Sequence, residues 1–154
     1  MSAARSEVAV RAAPAVEVGT KLPELSLHGD PTFIVSTALA TRDFQDVHHD
    51  RDKAQAKGSK DIFVNILTDT GLVQRFVTDW AGPSALIKSI SLRLGVPWYA
   101  YDTVTFSGEV MAIEDGLVTV KVVGRNRLGD HVIATVTLVV GSSRERSSIT
   151  TGGD

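Results

Sequence analysis

Two hydrophobic periods divide this chain, and the switch between them restricts its fold more than any single motif does. From Ile62 to Trp80, apolar residues fall at Phe63, Ile66, Leu67, Val73, Val77 and Trp80, spacings that trace one helical face. Ile62, Val64, Leu72 and Phe76 widen the stripe until little polar surface is left, which predicts a helix buried nearly all round. Gly71 weakens such a helix by ~1 kcal/mol relative to Ala, and its presence predicts a close backbone neighbour. Ala81, Gly82 and Pro83 end it, with Gly past the last turn and Pro beyond.

After Pro83 the period becomes two. Leu86, Ile90, Leu92 and Leu94 lead, followed by Val104, Phe106, Val110 and Ala112. Glu114–Gly116 make a turn before Val118, Val120 and Val122; Leu128–Asp130 make another before Val132, Ala134, Val136, Leu138 and Val140. These are four half-buried strands joined largely by hairpins, an antiparallel meander with one apolar face. A short strand near Glu24–His28 is expected to add an edge. A long buried helix followed by an antiparallel sheet predicts an α+β chain with the sheet curled around the helix, the arrangement of the hotdog fold.

Size agrees with one domain: 154 residues, 43% hydrophobic and 22% charged. We expect residues 1–20 to be a flexible leader, 21–140 the folded domain, and the Ser-, Thr- and Gly-rich residues 141–154 a frayed tail. Arg5, Glu7 and Arg11 interrupt any signal-peptide core, and no stretch reaches the ~18 apolar residues of a membrane span. With no Cys there is no disulfide framework and no thiolate for zinc or nucleophilic catalysis, which fits a reducing, cytoplasmic location. A net charge of −2 argues against a nucleic-acid binder held by counterion release.

Chemistry concentrates between the two regions, in Arg42-Asp43-Phe44-Gln45-Asp46-Val47-His48-His49-Asp50-Arg51-Asp52. Imidazole titrates near neutrality and a carboxylate can tune it, so Asp beside His is the minimum for general acid–base work. A solvated charged loop would have the same composition. A metal site would need these ligands to converge on one point, and no zinc- or calcium-type spacing is present.

Asp43 and His48, five residues apart and followed by Asp50, resemble the Gly-Asp-x-Asn-Pro-x-His-x-Asp signature of MaoC-like (R)-specific enoyl-CoA hydratases. That family carries the motif on the loop before the central hotdog helix, and the resemblance spans residues 21–140. Arg42, Gln45 and Asp46 stand where the family has Gly, Asn and Pro, and Val64-Asn65 stands for its His-Gly dipeptide. Gly29-Asp30-Pro31-Thr32-Phe33 and Thr78-Asp79-Trp80-Ala81-Gly82-Pro83 are similar to the branch of small MaoC-like subunits that hydrate steroid side chains in cholesterol degradation.

The resemblance implies water addition across C2=C3 of a trans-2-enoyl-CoA, without cofactor or metal. It makes Asp43 the base on water and His48 the donor of a proton to C2, with Asp50 supporting the loop. A backbone N–H at Asn65, or next to it, would hold the thioester oxygen as negative charge develops there. The partner implied is a second MaoC-like chain in an α2β2 heterotetramer, and the substrate a steroid acyl-CoA.

Two other functions stay open at this level: a hotdog thioesterase using Asp69 or Asp43, and a non-catalytic hotdog subunit. His49 is expected on the surface, with CoA phosphate as the functional alternative. Trp98 and Tyr99 are read as core or as an apolar pocket wall. Arg125 and Arg127 are read as a solvated hairpin edge or as contacts to CoA phosphates.

Overall fold

The computed structural model describes residues 16–141. Most of the expected leader and nearly all of the expected tail lie outside the described residues. Residues 16–20, assigned to the leader, belong to the fold: Gly19 N–H donates to Val110 O at 2.8 Å and Val110 N–H to Thr20 O at 2.9 Å.

Five strands make one antiparallel sheet: β1 (Lys21–Gly29), β2 (Leu86–Leu94), β3 (Asp102–Glu114), β4 (Leu117–Asn126) and β5 (Gly129–Val139). The helices α1 (Pro31–Ala40), α2 (Arg51–Ala56) and α3 (Ile66–Ala81) all lie between β1 and β2 in the chain. Alternation places Val104, Phe106, Val110, Val120, Val122, Val136 and Leu138 on the inner face, all buried. Against them α3 lays Leu72, Val73, Phe76 and Val77, with the Phe76 and Phe106 rings 6.2 Å apart.

Four expectations need correction. α3 begins at Ile66, because Asn65 caps it through a 3.0 Å bond from Thr68 N–H to Asn65 Oδ1. The helix is amphipathic rather than buried all round: Ile66 and Leu67 are 48% and 51% exposed. Gly71 faces solvent, and a Cβ there would meet nothing within 4 Å. Nor is the sheet a simple meander, since its order is β1-β3-β4-β5-β2. Edge strand β2 pairs with β5, so the chain must cross the end of the sheet to begin β3.

That crossing, residues 95–101, builds one wall of the site. Gly95 N–H donates to His131 O (2.7 Å) and Val96 N–H to Asp130 O (3.0 Å), extending the β2–β5 pairing. Trp98 then plugs the core, its indole N–H on Asp102 O at 3.0 Å. Val64 N–H bonds Trp98 O and Ala100 N–H bonds Ile62 O, so the crossing is zipped to the residues that enter α3.

Gly95 is required at this closure because a Cβ would collide with the Asp130 carbonyl oxygen. The two backbone bonds prevent retreat. Gly95→Ala should therefore destabilise the fold by ~1–3 kcal/mol, the usual penalty for overpacking. Urea unfolding should show a lower midpoint at an unchanged m-value.

Candidate active site

α1 delivers Asp43. Asp30 caps that helix from Pro31 onward, its Oδ1 accepting from Phe33 N–H at 2.7 Å. At the other end Arg42 N–H bonds Leu39 O and Asp43 N–H bonds Ala38 O, the paired bonds of a Schellman stop. Such a stop needs a left-handed residue, and Arg42 has φ 57°. Gly would take this conformation with no Cβ to oppose it. Arg42→Gly is expected to stabilise the chain by ~0.5–1 kcal/mol, strain relief outweighing the added backbone entropy. Thermal unfolding should register this as a higher Tm.

His48 closes a 3₁₀ turn, Asp46–His48, and is 6% exposed. A carbonyl oxygen only accepts, so the 2.7 Å contact to Phe63 O places a proton on His48 Nδ1. Nε2 is left facing Asp43 Oδ2 at 3.4 Å. That gap is too long for a strong direct hydrogen bond but suits one water bonded to both atoms.

Asn65 holds Asp43 in place. Its Nδ2 donates to Asp43 Oδ2 (3.0 Å) and to Thr41 Oγ1 (2.9 Å), while its Oδ1 caps α3. The Asn65 bond is the main reason the Asp43 carboxyl sits below its ordinary range; burial opposes this, and Gln45 N–H and His48 add to it. Asp43 is thus ionised at neutral pH. The Asn65 side chain was invisible as a site feature in sequence, which pointed only to its backbone. A capping Asn before a helix is a legible signal, but its second bond to Asp43 depends on tertiary packing.

Asp43, His48, Asn65 and Ile66 line a cavity of about 370 Å³ whose opposite wall includes Val96 and His131. Asn65 Oδ1 takes Thr68 N–H and Asn65 O takes Asp69 N–H, so these two bonds leave the Asn65 and Ile66 amides free at the helix N-terminus, where both residues line this space. A helix N-terminus there favours developing negative charge. A depression of about 440 Å³ on the outer sheet face, among Lys21, Glu109 and Lys121, has no imidazole in its lining.

The remaining candidates disperse. Asp50 caps α2, accepting from Lys53 N–H at 3.1 Å. His49 turns outward to Asp46, which also binds Lys53 and Lys57. Arg125 pairs with Asp130 at 2.7 Å and Arg127 with Asp102 at 3.2 Å. Trp98 is core, and Tyr99 bridges to Phe63 in the backbone.

Asp69 is fully buried behind the cavity wall, with Oδ1 3.0 Å from His131 Nε2. Asp69 is not part of the cavity lining, which counts against the Asp69 form of the thioesterase reading. Burial raises its pKa, with the His131 bond and charge working against that rise. His131 was missed in sequence. A bulge between Gly124 and Arg125 shifts the β4–β5 register, and His131 and Val132 are both buried, so simple alternation does not reveal the ring. No three His, Asp or Glu side chains among the described residues are arranged to hold a metal.

The fold is a helix packed on a five-stranded antiparallel sheet, with Asp43 and His48 between α1 and α3 at the mouth of a cavity. No protein-family profile matches the chain. It is 88% identical over 121 residues, 79% of this chain and 94% of the relative, to the 3-oxo-4,17-pregnadiene-20-carboxyl-CoA hydratase beta subunit of Mycobacterium tuberculosis. The chain belongs to that subunit's family, the MaoC-like hydratases.

Solved structures agree. The ChsH1–ChsH2 complex from Mycobacterium tuberculosis contains a chain that matches with TM-score 0.81 at 83% identity, over 82% of this chain and 100% of that one. The (R)-hydratase from A. caviae involved in PHA biosynthesis shares the fold, with TM-score 0.77 at 21% identity over 84% and 100%.

Proposed function

We propose that this chain is the catalytic subunit of a steroid side-chain enoyl-CoA hydratase, acting on 3-oxo-4,17-pregnadiene-20-carboxyl-CoA or a close analogue. The observation that carries this is the Asp43 Oδ2–His48 Nε2 pair, 3.4 Å apart over a cavity at the α3 N-terminus. The near-identical relative supports the substrate class.

In this reading Asp43 and the His48 imidazolium hold one water. Asp43 takes a proton from it as the oxygen bonds to C3 and the C2=C3 π bond breaks. The electron pair released at C2 takes the proton from His48 Nε2, and the proton on Asp43 returns to His48. Because Phe63 O holds the Nδ1 proton, only Nε2 exchanges. Charge developing on the thioester oxygen is met by the Asn65 or Ile66 amide; one such donor is typically worth ~10²–10³ in rate. With C3 in the steroid D ring, the product is a tertiary alcohol at C17.

A cavity of about 370 Å³ is near the small end for a ligand site, and four fused rings need more room. Ile66 and Leu94 line it, yet are exposed, as is Phe44 beside Asp43. A second MaoC-like subunit covering these residues would finish the acyl pocket, in an α2β2 heterotetramer. Light scattering of the purified complex tests that stoichiometry. An enzyme of CoA thioesters works where CoA is held, in the cytoplasm. Among the described residues no helix is long and apolar enough to cross a membrane.

The deciding experiment follows the enoyl absorbance band and free thiol together, for this chain alone and with its partner. Loss of the band without thiol release is expected. Thiol release would instead indicate a thioesterase, and loss of the band that survives Asp43→Ala and His48→Ala in the complex would indicate a non-catalytic subunit.

A further inference from the structure

Two histidines are buried among the described residues, and the chemistry above uses only His48. The other, His131, is 2% exposed and stands in β5 with its ring against the cavity wall. Its Nδ1–H donates to Val96 O at 2.6 Å, and its Nε2 meets Asp69 Oδ1 at 3.0 Å. Trp98 packs edge-on against the ring at 5.8 Å between centroids, fixing its plane. The second Asp69 oxygen is buried and has no hydrogen-bond partner among the described residues.

This is a costly arrangement. A buried carboxyl with an orphaned oxygen is destabilising, and an apolar pair of similar size usually packs as well or better. What the polar pair supplies is a defined distance. Asp69 lies in the first turn of α3, and its N–H bonds the carbonyl of Asn65. Val96 belongs to the opposite wall. One imidazole ring therefore spans the two walls between which a thioester would lie.

We propose that Asp69 and His131 are positioning residues of the hydration site, a buried strut that sets the gap between the α3 N-terminal amides and the Val96 wall. The inference rests on the hydratase reading. Neither residue touches the reacting atoms. Their effect is exerted through where the Asn65 and Ile66 amides stand when charge develops, and a misplacement of ~1 Å can lower a rate ~10²-fold. An interaction felt only in the transition state lowers kcat and leaves KM nearly unchanged.

The test uses the full chain with its partner subunit and 3-oxo-4,17-pregnadiene-20-carboxyl-CoA, well below the Tm of each variant. Asp69→Ala and His131→Ala should each lower kcat ~10²-fold with KM within about threefold. Asp69→Asn should recover most of that loss, because its amide N–H can donate to unprotonated His131 Nε2. If His131→Ala does not fold, the two Asp69 variants carry the comparison alone.

A folded Asp69→Ala enzyme with wild-type kcat would overturn the proposal, as would a raised KM at unchanged kcat, or an Asp69→Asn enzyme as slow as Asp69→Ala. Lower Tm with untouched kinetics would mark the pair as merely structural. If wild type itself fails to hydrate the substrate, the hydratase reading falls first. An active wild type beside an unaffected Asp69→Ala variant sinks only the strut.

Discussion

Replacing His48 with Ala should lower kcat of the assembled enzyme by about 10³-fold, within the ~10²–10⁴ range of a positioned acid–base group. His48 presents one exchangeable nitrogen to the cavity, since Phe63 O occupies the other. Among the described residues, His48 is the imidazole that faces Asp43 across the cavity. Asp43→Asn should match it, because an amide cannot take a proton from water. The double variant should be little worse than either, as both act on one water and their effects do not add. Steady-state decay of the enoyl band measures this directly. Retention of more than a tenth of wild-type kcat in His48→Ala would assign the chemistry elsewhere.

The second large effect is expected at Asn65. Its side chain both caps α3 and fixes Asp43 Oδ2 at 3.0 Å, so Asn65→Ala removes two functions together. Loss of the cap should destabilise the fold by ~1 kcal/mol. Loss of the Asp43 bond should lower kcat by ~10²-fold through misorientation. Asn65→Asp separates the two: Asp caps helices as well as Asn, but sets a second carboxylate against Asp43. Stability should then be largely kept while activity is lost. Chemical denaturation beside kinetics distinguishes the variants, and an Asn65→Asp enzyme with full activity would contradict the assignment.

The pH dependence follows with a definite sign. Asn65 is the largest cause of the lowered Asp43 pKa, so removing it moves that pKa upward. The carboxylate's contribution to folding is present above its unfolded pKa of ~3.9 and is lost as pH falls through the lower folded value. In Asn65→Ala the acid limb of activity should therefore shift to higher pH relative to wild type.

Several elements were readable from local chemistry alone. Strand β2 was read over Leu86–Leu94, and those are its bounds, because Leu, Ile and Ser alternate between a stop at Pro83 and the break at Gly95. The end of α3 was marked by Gly82, which takes φ 90°. Its start was misread because Ile62 and Val64 are apolar yet pair with the crossing segment as extended chain. Helix α1 was overlooked although Asp30-Pro31 opens it with a cap and a first-turn proline. Its apolar residues surround the helix with Thr32, Ser36 and Thr37 among them, so they gave no clear helical stripe.

Asp43 and His48 stand out as candidates because their residue types and spacing lie within one short loop, where local sequence carries the pattern. The sequence by itself thus determined the helix-then-sheet order and the inner faces of β3, β4 and β5, and it pointed to Asp43 and His48 as the candidate acid–base pair. Tertiary structure alone decided that β2 lies beside β5, that residues 95–101 cross over to form the second wall, and that Asn65 and His131 meet Asp43 and Asp69. Those partners are 22 and 62 residues apart, respectively. Strand pairing and helix docking set such distances, and no local periodicity records them.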